Sequence, residues 1–111
     1  MDHWKDFIQA YDLEKFKQEA YDSLLEYIRN QDINDDAPWA APPNGIRYST
    51  LIIKYEGLWL RGLPDYPIFR VRYNLYLKEV DLNPYYYYDV DFGLNREVID
   101  TFFIQHNITF A

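Results

Sequence analysis

The run Asn83-Pro84-Tyr85-Tyr86-Tyr87-Tyr88-Asp89-Val90-Asp91-Phe92 constrains this chain more than any other stretch. Read with period two, it sends Tyr86, Tyr88, Val90 and Phe92 to one side and Tyr85, Tyr87, Asp89 and Asp91 to the other, as a half-buried strand requires. The first set implies a core against that face. The second is a ladder of tyrosines and aspartates, and tyrosine gives large contact area with only two side-chain torsions to freeze.

Other segments supply the partners of that strand. Residues 46–55 alternate as a strand, Glu56-Gly57 reads as a tight turn, and 58–61 as a short returning strand. Residues 62–67 are turn-rich. In 68–80, Phe69, Val71, Tyr73, Leu75 and Leu77 point inward while Arg70, Arg72, Asn74, Tyr76 and Lys78 point outward. A short turn near Asp81–Pro84 then folds this strand back, setting Tyr87 against Lys78, Asp89 against Tyr76 and Asp91 against Asn74. In that register Arg72 and Lys78 are available to neutralise the aspartates.

Before the sheet the period is helical. Trp4, Phe7, Ile8 and Tyr11 form one stripe, and Leu13, Phe16, Ala20, Leu24, Tyr27 and Ile28 a second one about half a turn away. Two helices are therefore expected, broken at Asp12, with the second ending near Gln31. Its far side carries Glu19, Asp22 and Glu26, with Lys15 and Arg29 as local partners. Residues 32–45 contain three prolines and the Asn44-Gly45 turn signal, and read as an acidic loop holding Asp35, Asp36 and Trp39. After the strand, Asn95 caps an expected closing helix from Arg96 to about Gln105, with Val98, Ile99, Phe102 and Phe103 as its apolar face. The fold expected is α+β in one domain, 1–111: two amino-terminal helices, a four-stranded antiparallel meander, and a carboxy-terminal helix on the same sheet face.

Composition narrows the function classes. The net charge is −7, and residues 1–44 hold ten acids against four bases. Such a balance disfavours a nucleic-acid or anionic-membrane ligand and suits a basic partner. With no cysteine in the chain, disulfides, thiolate chemistry and cysteine-held metals are excluded. The acidic start without an apolar run is not a secretory signal, and a soluble, cytoplasmic chain is expected.

Catalytic signatures are absent from the sequence. Asp32-x-Asn34-x-Asp36 opens like a calcium loop, but Ala37 and Pro43 stand where glycine and glutamate are needed. Asp89-x-Asp91 with Glu97 lacks an adjacent lysine or histidine for phosphodiester chemistry, and neither His3 nor His106 has a ligand-spaced companion. No cofactor or metal is expected.

These observations point to a small acidic module that inhibits a basic, nucleic-acid-acting protein, as an immunity protein does for a nuclease toxin or a phage-encoded anti-defence factor for its target. The expected contacts are Tyr85, Tyr87, Asp89 and Asp91, then Asp35, Asp36 and Trp39, then Glu19, Asp22 and Glu26. Two alternatives stand beside it: a homodimer sealed through the tyrosine face, and a pocket enzyme or small-molecule carrier lined by Tyr73, Tyr86 and Tyr88.

Overall fold

The computed structural model describes residues 13–34, 41–63, 66–93 and 97–105. One helix, α1 (Leu13–Asn34), precedes four strands: β1 (Ile52–Leu63), β2 (Tyr66–Tyr76), β3 (Tyr86–Phe92) and β4 (Val98–Gln105). The strands form one antiparallel sheet in the order β1-β2-β3-β4.

The second apolar stripe builds α1. Phe16, Ala20, Leu24 and Ile28 recur on one helical face and are all buried. They pack against Phe69, Val71, Tyr73 and Leu75 of β2 and Tyr86, Tyr88, Val90 and Phe92 of β3. Phe16 lies 4.9 Å from the Phe69 ring and 5.0 Å from Phe92, Tyr88 shares a 2.6 Å hydrogen bond with the Ser23 hydroxyl, and the Tyr73 hydroxyl donates to the Lys17 carbonyl at 3.0 Å. The inward alternation expected of residues 69–75 and 86–92 holds residue for residue.

The two-helix-plus-closing-helix arrangement does not. The described residues contain the single helix α1, which runs three residues past its expected end. The first expected helix, with Trp4, Phe7, Ile8 and Tyr11, lies outside the described residues. The closing helix is replaced by β4, whose sequence VIDTFFIQ pairs along β3 from Tyr86↔Gln105 to Phe92↔Val98. Six of its eight residues are β-branched or aromatic and lose side-chain freedom in a helix. β3 is buried along nearly its whole length, so its second edge needs a backbone partner, and β4 supplies it.

The first strand is also redrawn. Residues 48–50 form a 3-10 turn whose first two N–H groups, of Tyr48 and Ser49, are accepted by the Asp32 carboxylate at 2.8 and 3.0 Å. Burial alone raises the Asp32 pKa, but the bonds from Ser49 and Tyr48 and the Arg47 charge outweigh it, and the net direction is down. The expected turn at Glu56-Gly57 is a bulge inside β1, where the register shifts between Tyr55 and Gly57. The strand continues to Leu63, which faces Tyr66. Gly45, at φ 72°, does occupy the left-handed conformation its Asn-Gly signal implies.

Burial pushes the Tyr73 phenol up to about 12, reinforced by Tyr55 and Tyr21, and burial beside Tyr48 pushes Tyr86 up as well. A neutral phenol with a raised folded-state pKa contributes stability that is complete below the unfolded value near 10 and vanishes as pH climbs through the folded value. Alkaline titration followed by ultraviolet absorbance is expected to show a late-ionising tyrosine class. Loss of tertiary near-ultraviolet dichroism is expected between pH 10 and about 12.

Candidate functional site: the open sheet face and the outer face of the helix

α1 covers one face of the sheet. On the other, alternate residues of the four strands line up: Trp59 from β1, Arg70, Arg72 and Asn74 from β2, Tyr87, Asp89 and Asp91 from β3, and Phe102 from β4. Antiparallel pairing sets Arg72 opposite Asp89 and Arg70 opposite Asp91. This register differs from the expected one, and Lys78 lies beyond the end of β2. Residues 77–85 form a longer connection than a tight turn, with Tyr85 N–H donating to the Leu75 carbonyl at 2.8 Å.

Both pairs are bidentate. Arg70 donates through Nε and Nη2 to Asp91 at 2.7 and 2.9 Å, and Arg72 likewise to Asp89 at 2.7 and 2.8 Å. Arg70 Nη1 also lies 3.6 Å from Asp89 Oδ2, so the four side chains form one alternating chain of charge. Asp89 is 1 % and Asp91 5 % exposed, a depth carboxylates reach only when paired. Hydrogen bonding to Asp91 raises the Arg70 pKa, and hydrogen bonding to Asp89 that of Arg72, which fixes both in the charged form.

Aromatic rings close over the lattice. The Arg72 guanidinium sits 4.0 Å from the Tyr87 ring centroid and 5.3 Å from that of Trp59, and Arg70 sits 5.1 Å from Phe102. At the edge, Asn74 Nδ2 donates to Glu56 at 2.8 Å. Sequence reasoning placed the aspartates and both arginines correctly on this face but missed the pairing of Arg70 and the presence of Trp59 and Phe102. The signal was available in the matched spacing of Arg70-x-Arg72 and Asp89-x-Asp91, which satisfies both pairs in a single register.

The lattice is therefore self-neutralised, and Asp89 and Asp91 are not free to steer a partner. Tyr87 is half-buried under Arg72, and Tyr85 is half-buried, accepting from Gln105 Nε2 at 3.2 Å. Tyr73, Tyr86 and Tyr88 are packed core residues beneath α1. Asp35, Asp36 and Trp39 lie outside the described residues, as do His3 and His106.

Unpaired negative charge stands instead on the outer side of α1. Glu19, Asp22 and Glu26 are exposed, and among the described residues none of them forms an ion pair; the helix bridge that does form is Lys17 to Glu14 at 3.6 Å. Asp22 accepts one bond, from Gln18 Nε2 at 3.0 Å. Leu25 and Ile33 are exposed on the same helix. Below them a depression of about 370 Å³ is lined by Leu25, Ile28, Arg29, Asp32, Ile33, Arg47, Ser49 and Ile53. Among the described residues no three metal-ligating side chains converge, and no helix is long and apolar enough to cross a membrane. Comparison with protein-family models, with curated proteins and with solved structures returned no match to the chain.

Proposed function

We propose that this chain is a small acidic protein-binding module that occupies and inhibits a basic, nucleic-acid-acting protein in the cytosol, in the manner of a toxin-immunity protein or a phage anti-defence factor. One observation carries the reading. Glu19, Asp22 and Glu26 point to solvent without a cationic partner among the described residues, on a helix whose opposite side is locked into the core. Paired carboxylates lose their reach; unpaired ones on a rigid element project a field that speeds the approach of a positive surface. The contact is thus moved from the sheet ladder to α1, with Leu25 as an apolar anchor between Asp22 and Glu26.

The test is titration of the full chain with a cationic nuclease domain by stopped-flow and calorimetry at several salt concentrations. Association is expected to weaken steeply with ionic strength, and the variant Glu19→Gln/Asp22→Asn/Glu26→Gln is expected to slow it roughly tenfold at low salt with an unchanged melting temperature. Absence of binding, or binding indifferent to salt and to the triple change, refutes the reading.

A further inference from the structure

The last turns of α1 and the segment leading into β1 border an open groove in two parts. The first, of about 370 Å³, has Leu25, Ile28, Ile33 and Ile53 as apolar lining, with Arg29 and Arg47 beside them. Leu25, Arg29 and Ile33 are spaced four apart and so form one row of the helix surface. The second part, of about 230 Å³, is lined by Gln31, Pro42, Ile46 and Tyr48. Asp32 and Arg47 line both, so the two parts adjoin.

Three polar groups of this groove are left unused by the fold. Gln31 is 8 % exposed, and its Oε1 is buried without a hydrogen-bond partner. A buried acceptor in that state is destabilising until a donor reaches it. Arg29 is exposed and forms no ion pair among the described residues. Arg47, whose side chain is 68 % exposed, meets Asp32 through Nε at 3.7 Å, which leaves its two terminal nitrogens open. The Asp32 oxygens are already engaged, accepting from the N–H groups of Tyr48 and Ser49 at 2.8 and 3.0 Å. Two guanidiniums against one engaged carboxylate make the groove cationic, in a chain whose net charge is −7.

We propose that this groove holds an extended peptide segment of a partner protein in which an apolar side chain is flanked by acidic ones. The apolar side chain fills the larger depression, and the acidic ones meet Arg29 and Arg47. A peptide N–H donates to Gln31, whose terminal amide torsion is broad enough to turn Oε1 toward it. Each feature of the occupant answers a group that the fold leaves unused. Both depressions are open to solvent, whereas a small-molecule site buries about 70–90 % of its ligand, so a segment lying across both is the matching occupant. A nucleic acid shares the negative charge but offers no aliphatic side chain to Leu25, Ile33 and Ile53.

The site is independent of the basic-partner reading above and takes a ligand of opposite charge. Its probe is a five-residue peptide, blocked at both ends, with leucine at the centre and aspartates on either side, titrated into the full chain by calorimetry and heteronuclear NMR. Binding is expected with resonance shifts concentrated in residues 25–33 and 41–53, and replacing the leucine by serine or the aspartates by lysines is expected to abolish it. Arg29→Gln is expected to weaken the peptide about tenfold at an unchanged melting temperature, because Arg29 has no ion pair to lose. Gln31→Leu separates a ligand-binding role from a structural one. It removes the orphaned acceptor, so the melting temperature is expected to rise while the peptide binds severalfold more weakly. The triple change Glu19→Gln/Asp22→Asn/Glu26→Gln, which slows the basic partner, is expected to leave the peptide's affinity unchanged or tightened, so the two sites fail separately. No binding at millimolar peptide, shifts confined to another part of the molecule, or equal affinity for the lysine peptide overturns the proposal. So does an Arg29→Gln or Gln31→Leu chain that binds as the parent does, or tighter binding of octanoate or of a single-stranded oligonucleotide than of the peptide.

Discussion

Replacing Arg72 with methionine is expected to destabilise the fold by about 3 kcal/mol, the lower end of the cost of breaking a buried ion pair. The change leaves the Asp89 carboxylate, 2 % exposed at its side chain, with Arg70 at 3.6 Å as its remaining cation. The loss arises from the orphaned charge, so the partner substitution must relieve it. Arg72→Met/Asp89→Leu, placed against the rings of Trp59 and Tyr87, is expected to recover most of the stability. Urea unfolding of both single variants and the double one forms the cycle that measures the coupling. A double variant as unstable as Arg72→Met would mean that the lattice stabilises by geometry that apolar packing cannot replace.

Phe16→Ala is expected to cost about 3–5 kcal/mol, a large share of the roughly 5–15 kcal/mol that holds a domain of this size together. Phe16 is fully buried and contacts rings on two strands, Phe69 at 4.9 Å and Phe92 at 5.0 Å, so its removal opens a void at the junction of helix and sheet. Phe16→Leu retains most of the volume and is expected to cost about 1 kcal/mol. The midpoint of urea unfolding, at unchanged slope, is the measurement. Equal losses in the two variants would show that ring-to-ring geometry, rather than filled volume, is what Phe16 contributes.

The three kinds of negative charge illustrate what separates a structural carboxylate from an exposed one. Asp32 holds the 3-10 turn at Tyr48, Asp89 and Asp91 neutralise two arginines, and Glu19, Asp22 and Glu26 do neither. Only the last group is left without an ion pair among the described residues. In the sequence all six look alike.

Much of the core was legible. The stripe Phe16-Ala20-Leu24-Ile28 and the alternation of residues 69–75 and 86–92 repeat at the periods of a helix and of strands, and each was buried on the face its period assigned. The closing helix was misjudged because Val98, Ile99, Phe102 and Phe103 repeat at a spacing that also satisfies a helix. Their β-branched and aromatic character, together with the empty edge of β3, decides for a strand. The turn at Glu56-Gly57 was misjudged because a bulge and a turn share the same local residues, and only the partner strand distinguishes them.

By itself the sequence determined which residues of α1, β2 and β3 face the core, because side-chain period is a property of the local backbone and needs no partner. Register, by contrast, was decided by the tertiary structure. Whether Asp89 meets Tyr76 or Arg72 depends on the nine-residue connection 77–85 and on two charge pairs closing together, a choice made between segments distant along the chain. That choice withdrew the sheet carboxylates from solvent and left those of α1 exposed, since a charge is available for binding only when the same molecule has not already neutralised it.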